Sequence, residues 1–178
     1  MNRHILRNII RKGRVTVDID TRNAILLQKI EVLGEGLRRA IYSRFGRSFH
    51  IREVDTGSCG ACESEIIACS NPLYDIQRFG IDFVASPRHA DALLVTGPLS
   101  KNMKIALTKT YESMPTPKLV ITLGDCAKLG GLFKDSYYTC GGVEGVLPVV
   151  LHIPGCPPEP LTIIMAMVSF LRNTEPVK

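Results

Sequence analysis

Long hydrophobic runs are what this 178-residue sequence most clearly lacks. The longest apolar stretch, Leu161 to Leu171, falls short of the roughly 18–20 residues a helix needs to span a bilayer. The first residues, MNRHILRNIIRKGRV, contain no apolar segment of the kind a secretory signal uses. The expectation is therefore a reducing compartment, where cysteines serve metals or catalysis more often than disulfides. Acidic side chains are absent from the first fourteen, arginine-rich positions, so an organelle transit peptide is the alternative reading of that stretch. Internal repeats and low-complexity segments are absent too. Gly130-Gly131 and Gly141-Gly142 fit no dinucleotide fingerprint, and no Ser/His/Asp arrangement suggests a hydrolase.

What is present is enough for an ordinary core: 45% hydrophobic and 22% charged residues suit one folded domain rather than a disordered chain. The net charge of +5 is unevenly spread. Residues 1–52 carry twelve Lys/Arg against four Asp/Glu, and the remainder ten against thirteen, so the basic excess belongs to the N-terminal arm. Such an arm suits anionic lipid or an acidic partner surface. Its few aromatics argue against nucleic acid as the partner.

Residues 1–47 read as this arm and 48–178 as the main domain. Within the arm, Leu26, Ile30, Leu33, Leu37, Ile41 and Phe45 recur at helical steps, with Asp20 or Thr21 as candidate caps. Gly34 and Gly36 weaken that helix, which then needs a surface to lie on: its own domain, another subunit or a membrane. From residue 49 strands and helices alternate. His50–Val54, Ile81–Ala85, Ala92–Thr96, Leu119–Leu123 and Val146–Ile153 read as strands. The stretches from Cys62 to Cys69, Asn102 to Ser113 and Glu159 to Leu171 read as helices, and Gly124–Gly145 as mostly loop. Near-continuous apolar strands in this alternation predict an α/β fold, an open parallel sheet with helices on both faces.

Four cysteines occupy equivalent places. Cys59 and Cys62 follow the first strand, Cys126 follows Leu119–Leu123, and Cys156 follows the last strand. In an open parallel sheet the carboxyl ends of the strands share one edge, where such folds bind ligands. Cysteines separated by 63 and 29 intervening residues are thereby expected to converge. Four thiolates hold either zinc or an iron–sulfur cluster, and a thiol redox site is a third possibility. One pair plus two single cysteines, each within two residues of glycine or proline, departs from the paired knuckles of structural zinc. Neighbouring glycines let backbone N–H groups approach cluster sulfurs.

Several segments carry a resemblance: Gly57-Ser58-Cys59-Gly60-Ala61-Cys62-Glu63-Ser64-Glu65, Ser86-Pro87-Arg88-His89-Ala90-Asp91, Val95-Thr96-Gly97-Pro98 and Ile153-Pro154-Gly155-Cys156-Pro157-Pro158. Together they resemble the small subunit of membrane-bound, energy-converting group 4 [NiFe] hydrogenases, of the formate hydrogenlyase and archaeal membrane-bound types. These are similar in turn to the corresponding small subunit of respiratory complex I. The match runs from about Phe49 to Leu171. It implies a flavodoxin-like domain with one [4Fe–4S] cluster on Cys59, Cys62, Cys126 and Cys156, nearest the catalytic large subunit. The complex I proteins typically place the first two cysteines side by side; the two-residue gap here is the hydrogenase pattern. Since the sequence stops at Lys178, that pattern leaves room for one cluster only.

The resemblance further implies an electron relay from a ferredoxin-like, multi-cluster subunit to a nickel–iron centre on a separate large subunit. Proton reduction or hydrogen oxidation there would couple to ion-translocating membrane subunits, with this chain peripheral on the cytoplasmic side. A complex I-like enzyme reducing quinone or sulfur-type acceptors, and a zinc-stabilised binding module, are the alternatives. Glu63 and Glu65 start a helix near the second cysteine and are candidates for proton relay or for tuning the potential. Arg88 and His89 are candidate donors to the cluster from the matching segment, and Ser100–Asn102 with the Met103 helix is expected to face partner subunits. Cys69 reads as a small buried hydrophobe, Cys140 as a non-ligand in the glycine-rich loop, and His152 as a satisfied core histidine.

Overall fold

The structure, a computed structural model, describes the backbone of residues 19–173 and side chains from residue 24. The transit-peptide reading of the first fourteen residues and the ends of both expected segments lie outside them. The helix expected in the arm runs Ile19–Phe45 (α1), so Asp20 and Thr21 lie inside it rather than capping it. Then follow β1 (Phe49–Asp55), α2 (Ala61–Cys69), a 3-10 turn (Ile76–Phe79), β2 (Ile81–Phe83), a 3-10 turn (Pro87–His89) and β3 (Ala92–Thr96). The chain continues through α3 (Lys101–Glu112), β4 (Leu119–Leu123), α4 (Asp125–Leu129), a 3-10 turn (Gly131–Phe133), β5 (Leu151–Ile153) and α5 (Pro160–Asn173).

The five strands are all parallel, in the order β2-β1-β3-β4-β5, which is the flavodoxin-like order. Period-two alternation sends each strand's residues to two covered faces. On one face Ile51, Ala92, Leu94, Ile121 and Leu123 pack under α1, α2 and α5; on the other Leu93, Val95 and Val120 pack with Leu107 and Met114 of α3 and its end. Ile30, Leu37 and Ile41 of α1 are fully buried, each contributing roughly 1.5–3 kcal/mol. The helix therefore lies on its own domain. Its glycines serve that packing: a methyl at Gly34 would run into the Phe79 ring.

One expectation is corrected. The strand expected over Val146–Ile153 shortens to Leu151–Ile153, because the N–H groups of Val146 and Leu147 turn back to the Val143 carbonyl and Pro148 has none to donate. The glycine-rich stretch is mostly loop, as expected, and holds the short α4, which Gly130 at φ 94° ends.

Candidate metal centre

β1, β3, β4 and β5 end at one edge of the sheet, and the loops leaving β1, β4 and β5 carry the four cysteines. Asp55, the last residue of β1, bends the chain at once: its Oδ1 accepts the N–H of Gly57 and of Ser58, each at 2.7 Å. Thr56 fastens this loop to the end of β3. Its buried hydroxyl contacts the carbonyls of Thr96 (2.6 Å) and Gly97 (3.0 Å), and its carbonyl accepts the Ser100 N–H at 2.9 Å. Cys59 follows, exposed, and Gly60 at φ 84° opens α2 so that Cys62 falls in its first turn.

A reciprocal clasp joins the loops of Cys126 and Cys156. The Asp125 N–H donates to the Gly155 carbonyl at 3.0 Å, and the Gly155 N–H donates to Oδ1 of Asp125 at 2.9 Å. Gly124 then brings this pair to α2. A Cβ at Gly124 would stand 2.6 Å from Sγ of Cys62, so only glycine leaves the sulfur its room. Gly131 does the same for Cys126, where a Cβ would stand 2.9 Å from Sγ.

Burial pushes the Cys62 thiol up to about 12, with Glu63, Cys59, Cys126 and Cys156 adding to the effect. Cys126 is also raised, first by burial and then by Cys156 and Cys59, while the backbone N–H of Leu132 opposes the shift. A cationic group bound to these thiols would reverse the penalties. Among the described residues no group of three or more His, Cys, Asp or Glu side chains is gathered so as to hold a metal ion. The residues fit a thiolate-bound group by donor chemistry and by the glycine-lined room beside two of the sulfurs.

The other expected residues separate. Glu63 adjoins Cys62, and both its carboxylate oxygens are buried without a hydrogen-bond partner among the described residues. Glu65 instead bears on Cys69 and Tyr74. Arg88 and His89 belong to the turn that enters β3 at its amino end, where the His89 carbonyl lies 3.1 Å from Nδ1 of His50. Since β1 from His50 to Asp55 spans about 16 Å, this turn joins the strands at the edge opposite the cysteine loops. The structure does not bring the pair together with the cysteines. Cys69 is buried, Cys140 is exposed, and half-buried His152 places Nδ1 3.0 Å from the Thr122 hydroxyl.

Sequence reasoning missed Asp125 and Glu53. Glu53 sits on β1, where burial, then Glu63, then Asp55 hold its carboxyl above the usual range, opposed by Arg52 and by the Thr96 hydroxyl. That hydroxyl is close enough to ease the charge without hydrogen-bond geometry. A charged residue inside a doubly covered strand was the available signal.

A flavodoxin-like sheet with four cysteines on its ligand-binding edge defines a class of thiol-rich redox domain. The chain belongs to the family described as NADH ubiquinone oxidoreductase, 20 Kd subunit, whose profile matches residues 59–170; it is an oxidoreductase family. It is 43% identical over 139 residues to formate hydrogenlyase subunit 7 of Escherichia coli K12, covering 78% of this chain and 54% of that one. The chain thus spans about half of that relative's length. It is 44% identical over 128 residues to a probable membrane-bound hydrogenase subunit of Pyrococcus furiosus, covering 72% of this chain and 77% of the other. Among solved structures it resembles a chain of a membrane-bound sulfane sulfur reductase, an archaeal respiratory membrane complex, with a TM-score of 0.62 and 30% identity over 71% of this chain and 70% of that one.

Proposed function

We propose that this chain is the electron-relay subunit of a membrane-bound, energy-converting [NiFe] hydrogenase, holding one [4Fe–4S] cluster on Cys59, Cys62, Cys126 and Cys156 beside a catalytic large subunit. The observation that carries this reading is the Asp125–Gly155 clasp with the Cys62 sulfur seated against Gly124, which draws three distant chain segments to one place. The hydrogenase relatives support the choice of enzyme.

When bound, such a cluster supplies one-electron transfer. The chain's own residues hold and tune it. Gly124 and Gly131 let backbone approach the sulfurs, and the Leu132 N–H is directed to Cys126. Glu63, adjoining Cys62 with no hydrogen-bond partner among the described residues, places a negative group that lowers the potential of a nearby redox centre. Leu129, Leu132, Phe133, Tyr137 and Tyr138 form an exposed apolar rim just after Cys126, the kind of surface that marks a docking site. A large subunit seated there would exclude water from the sulfurs.

In this reading electrons enter from a ferredoxin-like, multi-cluster subunit and leave to a nickel–iron site that reduces protons or oxidises hydrogen. Ion-translocating membrane subunits complete the complex, and the chain sits peripherally on the cytoplasmic face. No helix among the described residues is long and apolar enough to cross a membrane. The likeness to the sulfane sulfur reductase supports a second reading, the same relay serving a sulfur-type or quinone acceptor in a complex I-like enzyme.

The test is to isolate the complex anaerobically through this chain and characterise its large subunit. A large subunit with two C-x-x-C nickel motifs and hydrogen-dependent bleaching of iron–sulfur absorption is the expected result. A large subunit lacking both motifs, with no response to hydrogen, assigns the second reading.

A further inference from the structure

Where α1 and α5 meet, they leave a basic hollow of about 610 Å3 on the surface. Arg39, Arg44 and Arg172 line it, and among the described residues no carboxylate does. Arg44 lies near the rings of Phe45 and Phe170, its Cζ 5.5 and 5.9 Å from their centroids, and its Nε and Nη1 are buried with no hydrogen-bond partner among the described residues. Burial lowers the pKa of this guanidinium, the direction expected for a desolvated cation. Arg39 gives one N–H to the Glu35 carbonyl at 3.3 Å, and the Glu35 carboxylate is taken by Arg38 at 3.1 Å. Gly36 completes the arrangement: a Cβ there would stand 2.5 Å from Nη2 of Arg172. Glycine therefore lets the third guanidinium lie against α1.

We propose that this hollow binds the phosphate of an anionic phospholipid headgroup through Arg39, Arg44 and Arg172. Guanidinium forks match phosphate oxygens, and three of them around one concave site exceed what an isolated surface pair provides. The lipid, rather than free phosphate, follows from exposed apolar side chains farther along α1. Ile25 and Val32, 63% and 67% exposed, stand fourteen and seven residues before Arg39 and so share its stripe of α1. They offer acyl contact along the same helix, about 20 and 10 Å from Arg39, as an interfacial helix does. The basic excess of residues 1–52 in the sequence adds to the attraction for a negative membrane surface.

Co-sedimentation of the full chain with vesicles tests this without involving any cluster, so it stands or falls apart from the proposed relay. Binding to mixed phosphatidylcholine–phosphatidylglycerol vesicles, and not to phosphatidylcholine alone, is expected. Arg44→Gln and Arg172→Gln should each weaken it about five-fold. Gly36→Ala should weaken it with charge unchanged, because the methyl displaces Arg172. Arg38→Gln, outside the hollow, should bind as the parent chain does. Equal losses for Arg38→Gln and Arg172→Gln would mean diffuse attraction and overturn the site. So would unchanged binding by Gly36→Ala and Arg172→Gln. Thermal stabilisation by inorganic phosphate without vesicle binding would overturn the lipid assignment, as would capture of a polyglutamate peptide in place of vesicles.

Discussion

Replacing Gly124 with alanine tests the packing of the cysteine loops through a single methyl group. Gly124 has φ 86° and ψ 154°, a region essentially reserved for glycine, and a side chain there costs about 1–3 kcal/mol. The added Cβ would also stand 2.6 Å from Sγ of Cys62, about 1 Å inside ordinary contact. Backbone lies on the other side, with the Gly155 carbonyl at 3.4 Å, so the sulfur has to yield. A ligand displaced by that much leaves the set of four. Iron and sulfide per chain, circular dichroism and denaturant midpoints should be measured on anaerobic Gly124→Ala. Retained secondary structure, a midpoint lowered by the stated cost and loss of most iron are expected. Gly46→Ala is the control, with φ 65° and nothing within 4 Å of the added methyl. Full iron in Gly124→Ala, or equal iron loss in Gly46→Ala, would refute the reasoning.

Cys126→Ser should lose iron, whereas Cys69→Ser, buried and remote from the set, should keep it at a stability cost of about 1–3 kcal/mol; metal analysis and denaturation separate the two. The Asp91 carboxylate receives Arg47 at 2.7 and 2.9 Å and the His50 N–H at 2.9 Å. Asp91→Ala should therefore cost roughly 1.5–3 kcal/mol, and Arg47→Gln, on the half-exposed side, less than about 1 kcal/mol by urea titration. His152 is held neutral, first by burial and then by Lys128, so its folded pKa lies below its unfolded value. The unfolded chain takes up the proton first: stability should fall as pH drops below about 6.5, down to the folded pKa, and His152→Asn should flatten that slope. Leu132→Asp, at a side chain 93% exposed, should change stability by less than about 0.5 kcal/mol yet abolish co-purification of the large subunit.

Strands covered on both faces were the most legible part of the fold. Ala92–Thr96 and Leu119–Leu123 have the boundaries their apolar runs predict, because every residue in them is buried. The run before β5 misled: of Val146–Val150 only Leu147 is buried and Val150 is exposed, so an apolar run did not report a doubly covered strand there. Shared strand ends made the cysteine loops legible, whereas the Asp125–Gly155 clasp was not. Its partners are thirty residues apart and meet only because β4 lies beside β5. Arg88 and His89 were misplaced because a segment's likeness carries no information on which end of the sheet it occupies. The basic hollow depends on how α1 meets α5, which no local pattern encodes.

Metal and sulfide analysis of the anaerobically purified full chain, with electron paramagnetic resonance after reduction, addresses the central claim most directly. About four irons and four sulfides per chain, with a reduced-cluster signal that disappears in each of Cys59→Ser, Cys62→Ser, Cys126→Ser and Cys156→Ser, is the predicted result. One chelator-resistant zinc per chain and no sulfide would contradict it.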